Sequence, residues 1–208
     1  MAVCPFCRQY IETDAPIYRQ IIANHDKDAL KSMLAGKVNR IKCHECGEEF
    51  YYEHKFQIIN AFKNYSIISV PNGFEPVEEI KTALFNILNK NDFRLRYVNE
   101  FIYASEKARI FEYDLDDRVL EIIKYKYVAS PKGLGTNAKI ILSNTTANAL
   151  EFAVCDEFDK PVAHHCVAID SYFNTSRMLD KEIISSPTLD WKRIDLNWAE
   201  KYIKENCK

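Results

Sequence analysis

The chain has 208 residues, 47% of them hydrophobic, with 28 basic side chains against 30 acidic ones and a formal charge of −2. That is enough apolar material for a core, and so even a charge balance argues against a DNA-wrapping surface or an acidic tail. The opening "MAVCPFCRQY" lacks the basic and apolar regions of a signal peptide, and no run reaches the roughly 18 to 20 apolar residues of a membrane span; both predict a soluble, cytoplasmic protein.

The first chemistry-bearing element is "CPFC", with Cys4 and Cys7, and it returns after residues 8–42 as "CHEC", with Cys43 and Cys46. A Cys-x-x-Cys turn places two thiolates on one side of a tight loop, and two such turns fill the four corners of a zinc tetrahedron with sulfur at about 2.3 Å. All four places are then taken by protein, so the spacing predicts a structural Zn2+ with no open position for water. Pro5 stiffens the first turn, and Gly47 follows the second where a positive φ is expected. His44 could stand in for a thiolate, but four cysteines leave it unnecessary. Neither a His-Glu-x-x-His helix nor the zinc-deaminase pattern is present. Seven cysteines leave Cys155, Cys166 and Cys207 outside the pairs.

Between the turns the sequence reads as helical. Asp14 is placed to cap a turn containing Pro16, with Ile17, Ile21 and Ile22 on one face. Asp26 then caps a second helix carrying Ala29, Leu30, Met33 and Leu34, which Gly36 terminates. "EEFYYEHKFQII" and "YSIISV" read as strands, a hairpin turning at Lys63 and Asn64, and "VPNGF" at 70–74 marks a module boundary. A helix is predicted over 76–90, then strands in "FRLRYVNEF" and "KARIFEY". A further helix starts at Asp116 or Asp117 with Val119, Leu120, Ile122 and Ile123 inward. Strands are expected in "AKIILS", "LEFAVCD" and "HHCVAIDSYF", and "DLNWAEKYIKENC" closes the chain as an amphipathic helix.

The fold class is therefore α+β, with an N-terminal four-cysteine zinc-knuckle or ribbon module carrying a helical insertion over 1–72 and a mixed sheet-and-helix domain over 73–208. The two cysteine turns, "DKDALKSMLAGKVNRIKC" and "RLRYVNEFIYASEKARIFEYDLDDRVLEIIKY" resemble the bacterial and archaeal CpXC proteins, named for their Cys-Pro-x-Cys motifs, from residue 1 to about 128. The resemblance implies metal-binding cysteines at Cys4, Cys7, Cys43 and Cys46 and no catalytic residues. His44 departs from it, since the family's second motif commonly has proline there.

Other clusters have a sharp and a bland meaning. Glu112, Asp114, Asp116, Asp117 and Glu121 could hold magnesium for a hydrolase or nuclease, or could cap a helix and pair with Arg118 and Lys124. On a strand His164 and Cys166 share a face, as a nucleophile and base must, but an apolar strand makes the cysteine a small hydrophobe. "KGLGTN" at 132–137 lacks the Lys-Ser/Thr end of a phosphate loop. Tyr51, Tyr52, Phe56, Phe62 and Tyr65 could stack bases, yet without a basic groove they read as core and interface. The sequence thus favours a non-enzymatic binding or scaffold protein with a protein partner. A metal-dependent hydrolase using the carboxylates at 114–117 and a nucleic-acid binder are the alternatives.

Overall fold

A computed structural model of the chain describes residues 2–12, 16–71, 93–129, 139–179 and 191–206. The expected cap at Asp14, the boundary at 72/73, the helix over 76–90, the loop at 132–137 and Cys207 lie outside them. The chain divides into two compact units, one holding the described residues of Met1–Asn89 with Tyr97–Ala108, the other those of Lys90–Arg96 with Arg109–Lys208. Both combine sheet and helix, so the α+β class holds, with the four cysteines near the N-terminus and a mixed sheet with helices after them.

In the first unit, β1 (Ala2–Val3) and β2 (Tyr10–Ile11) form one short antiparallel ribbon, and β4 (Arg40–Lys42) with β5 (Glu49–Tyr51) forms a second. Between the ribbons lie β3 (Gln20–Ile22) and α1 (Lys27–Leu34). The expected helix around Ile17, Ile21 and Ile22 is therefore corrected to a strand. Its isoleucines pair in parallel with β6 (Phe56–Asn60), Ile21 opposite Ile58 and Ile22 opposite Ile59, where a β-branched side chain packs better than on a helix. The spacing 17, 21, 22 fits a helical period too, so a short apolar run misleads.

The second expected helix is present as α1, and Gly36 ends it at φ 67°. Asp26 occupies the N-cap position, but its carboxylate accepts from Ile22 N–H at 3.0 Å and closes the turn before the helix. The predicted hairpin is β6 paired with β7 (Tyr65–Ser69), and Asn64 supplies the positive φ in its turn. The sheet order is β3-β6-β7-β8, where β8 is Arg94–Val98 and its end is held by Val70 N–H donating to the Val98 carbonyl. Ile21, Ile58 and Ile67 make one fully buried cross-strand row.

The segment "KARIFEY" is corrected from strand to helix: α2 runs Phe101–Glu112. Phe101, Ile102, Ala104, Ser105, Ala108, Ile110 and Phe111 are all buried, so the helix is covered on nearly every side and shows no polar face to betray its period. Within the first unit the Glu53 carboxylate accepts from Phe101 N–H at 3.0 Å, and Ser105 Oγ donates to the Met33 carbonyl at 2.9 Å.

The second unit contains α3 (Asp117–Ile123), continued by a π-helical turn at Lys124–Ala129, and the antiparallel meander β9 (Lys139–Thr145), β10 (Ala149–Cys155) and β11 (Pro161–Ala168). Asp116 caps α3 as expected, and Val119, Leu120, Ile122 and Ile123 are buried. β11 keeps only the first part of the strand expected over "HHCVAIDSYF"; from Ile169 to Met178 the chain is α4. The closing helix is α5 (Leu196–Asn206), with the Asp195 carboxylate accepting from Trp198 N–H. Among the described residues no helix is long and apolar enough to cross a membrane.

Candidate metal centre

The two cysteine turns are built alike. In the first, Cys4 N–H donates to the Gln9 carbonyl at 2.9 Å and Arg8 N–H to the Cys4 carbonyl at 3.0 Å. In the second, Cys43 N–H donates to Glu48 at 2.8 Å and Gly47 N–H to Cys43 at 2.9 Å. Within each loop other N–H groups reach the first cysteine's sulfur, those of Phe6 and Cys7 at Cys4 and those of Glu45 and Cys46 at Cys43, the arrangement that favours a thiolate. The residue after the second cysteine has a positive φ in both, 65° at Arg8 and 76° at Gly47. A single small core of Ala2, Cys4, Ile11, Ile41 and Cys43 ties the ribbons together, with Phe6 and Phe50 against it.

The four Sγ atoms lie within 4.8 Å of one another, with Cys4 to Cys46 at 3.7 Å and Cys7 to Cys43 at 3.6 Å. A disulfide would need about 2.05 Å; sulfur at about 2.3 Å from a tetrahedral centre gives edges of about 3.8 Å. The donor set therefore fits one metal ion held by four thiolates. Cys4 and Cys43 are buried, Cys7 is half-buried and Cys46 is exposed, which puts the last ligand on the solvent side.

The thiols also load one another electrostatically. Burial raises Cys4, but the N–H groups of Cys7 and Phe6 and the thiols of Cys7 and Cys46 outweigh it and bring it down to about 7. Cys43 is lowered by the N–H of Cys46 against the opposing effect of burial. At Cys46 the Glu48 N–H pulls down, yet burial and the three neighbouring thiols win and push it up to about 12. Four negative sulfurs at this spacing require a cation.

His44 is exposed, its Nε2 3.3 Å from a Glu45 carboxylate oxygen, and it is not among the clustered ligands. The carboxylates of the acidic stretch are dispersed among cations. Asp116 caps α3 and holds the Arg118 guanidinium, while buried Asp117 takes Arg96 in two bonds of 2.8 and 3.0 Å. Glu121 accepts from Lys124 at 2.9 Å, and Asp114 sits at φ 56°. Tyr172 accepts from Asp116 N–H, and burial followed by the Asp116 charge raises its phenol above the ordinary range. Among the described residues the four cysteines are the one group of three or more potential ligands placed for a shared ion.

The expectation that Cys166 lies buried on an apolar strand is corrected: Cys166 and His164 are both exposed on β11, because the buried rows of this sheet come from β9 and β10. Phe56 and Tyr65 are core, Phe62 is exposed, and Tyr51 packs tilted against Phe101, centroids 5.2 Å apart, with the Arg40 guanidinium over its ring. Sequence reasoning missed Asn39, buried at φ 54°, whose amide accepts from Tyr18 N–H and donates to its carbonyl. It also missed Arg8, which aligning the two turns on their cysteines would have set opposite Gly47.

No curated protein and no solved structure matches the chain. The sequence profile of the CpXC protein family matches residues 2–124, a span that holds both ribbons, all four clustered cysteines and α3, and the chain belongs to that family.

Proposed function

We propose that the protein is a non-enzymatic binding or scaffold protein of the cytoplasm whose Cys4, Cys7, Cys43 and Cys46 hold one structural zinc ion. The observation that supports this reading is four thiols within 4.8 Å of one another, enough to fill every place around one tetrahedral ion. Zinc is preferred to iron because an ion with a filled d shell imposes no geometry of its own and undergoes no redox change, which suits a closed structural set of four thiolates. When bound, the metal cross-links the two ribbons and neutralises the thiolates. The ribbons then form a fixed surface for a protein partner, while the chain's own hydrogen bonds hold the loops.

The test is native mass spectrometry of the purified full chain followed by elemental analysis. One zinc per chain is expected, with a colourless protein. Bound iron, or a reversible disulfide between the turns in place of metal, overturns the assignment. Metal uptake should vanish in Cys4→Ser.

A further inference from the structure

Within the first unit, a cleft of about 750 Å³ opens beside the ribbons, with Ala2 and Ile41 on one wall and the end of the β3-β6-β7 sheet on the other. That volume falls in the range of small-ligand sites, about 300 to 1,000 Å³. Its floor includes a cross-strand row, Gln20 opposite Gln57 opposite Ile68, with the Gln20 amide donating to Gln57 Oε1 at 3.0 Å. Tyr52 and His54 stack with ring centroids 5.2 Å apart. Both His54 ring nitrogens lie 2.9 Å from backbone carbonyls, of Tyr52 and Tyr18, so the ring is fixed as wall and offers no free nitrogen.

The charge of this lining is one-sided. Arg19 and Lys55 are exposed at the cleft, neither has a carboxylate partner among the described residues, and no carboxylate belongs to the described lining. In a chain with more acids than bases, a concavity with an aromatic wall, a floor of paired amides and two cations that no described carboxylate pairs has a defined complement. We infer that this cleft binds a small amphiphilic anion, a carboxylate or phosphate carried on a planar apolar body. Arg19 and Lys55 take the anion, and the half-buried Tyr52 and Ile17 take the body. This site goes beyond the scaffold reading and does not depend on which metal the cysteines hold.

The probes are 1-naphthoate, its neutral isostere 1-naphthamide, and phenyl phosphate, titrated into the metal-loaded, 15N-labelled full chain and followed by amide shifts. Saturable shifts at Gln20, Lys55 and Gln57 are expected with naphthoate. Naphthamide, and naphthoate on the Arg19→Glu/Lys55→Glu double variant, should each bind about tenfold more weakly. Whichever of naphthoate and phenyl phosphate binds tighter identifies the anion class. Equal affinity for the acid and the amide, unchanged binding in the double variant, or no saturable shift at those residues overturns the inference. Because both cations are exposed, the variants should keep the parent spectrum elsewhere; the Arg19→Gln/Lys55→Gln pair, which only neutralises, should give an intermediate loss.

Discussion

At Gly47 the backbone turns with a positive φ, and a methyl group placed there would meet nothing within 4 Å. The cost of Gly47→Ala is therefore conformational alone. It should lower the stability of the metal-loaded protein by about 1 kcal/mol in denaturant unfolding. Arg8 bears the same strain on the other turn, and Arg8→Gly should raise stability by a few tenths of a kcal/mol up to about 1, since relief of strain is partly offset by greater freedom of the unfolded chain. If Arg8→Gly instead loosens the turn, the side chain contributes something the backbone argument omits. Two adjacent aspartates give a sharper contrast. Asp116→Asn keeps a capping oxygen and should cost less than about 1 kcal/mol. Asp117→Ala strands the buried Arg96 guanidinium and should cost about 3 to 5 kcal/mol, while pairing it with Arg96→Met should recover much of that loss. Equal losses from both aspartates would refute this division of labour. The two carboxylates look alike in sequence. Which one caps and which one is buried depends on where Arg96 arrives, 21 residues upstream, and no local pattern encodes that.

Elements were legible in proportion to how one-sided their surroundings are. α1 and α5 each set an apolar face against a polar one, and their periodicity announces them. The β6-β7 hairpin is marked by alternation and by Asn64 in the turn. β3 was missed because three residues cannot reveal a period, and its strand state is imposed by pairing with β6, which lies 37 residues away at Gln20 and Gln57. The second half of α2 read as a strand because the helix is buried nearly all round. The same burial makes it fragile: Phe101 packs on Tyr51 at 5.2 Å and on Phe56 at 5.0 Å, all within the first unit. Phe101→Ala should destabilise that unit by about 3 to 5 kcal/mol. Amide exchange would show the loss first in β6, β7 and the start of α2, and exchange unchanged there would mean the site collapses without a cavity.

For the molecule as a whole, the cysteine cluster was the most legible feature, because ligand chemistry and Cys-x-x-Cys spacing are written locally, twice. The cleft beside it was not legible: Arg19 and Lys55 each stand just before a strand, β3 and β6, and come to line one cleft only through the β3-β6 pairing. Cys43→Ser should reduce metal content from one ion to none and expose the ribbon amides to exchange. Acid should act in the same direction, since protons compete with metal for thiolates; release should be complete at low pH and reverse on neutralisation in the presence of reductant. Metal retained by Cys43→Ser would remove that residue from the ligand set.

The order of these parts along the chain also sets a schedule. All four ligands have been made once Cys46 is joined, but the Tyr97–Ala108 stretch of the first unit, with the end of β8 and most of α2, comes roughly fifty residues later. At about 5 to 20 residues per second, synthesis leaves an interval of roughly 3 to 10 s in which all four ligands have been joined and their later neighbours do not yet exist. In that interval the four thiols have no metal to shield them from oxidation unless an ion is captured at once. Prompt metal capture on the ribosome would then be what keeps the nascent chain from oxidation, and a translation-arrested chain ending just before β8, long enough to put both turns outside the exit tunnel, should already resist thiol alkylation when zinc is supplied.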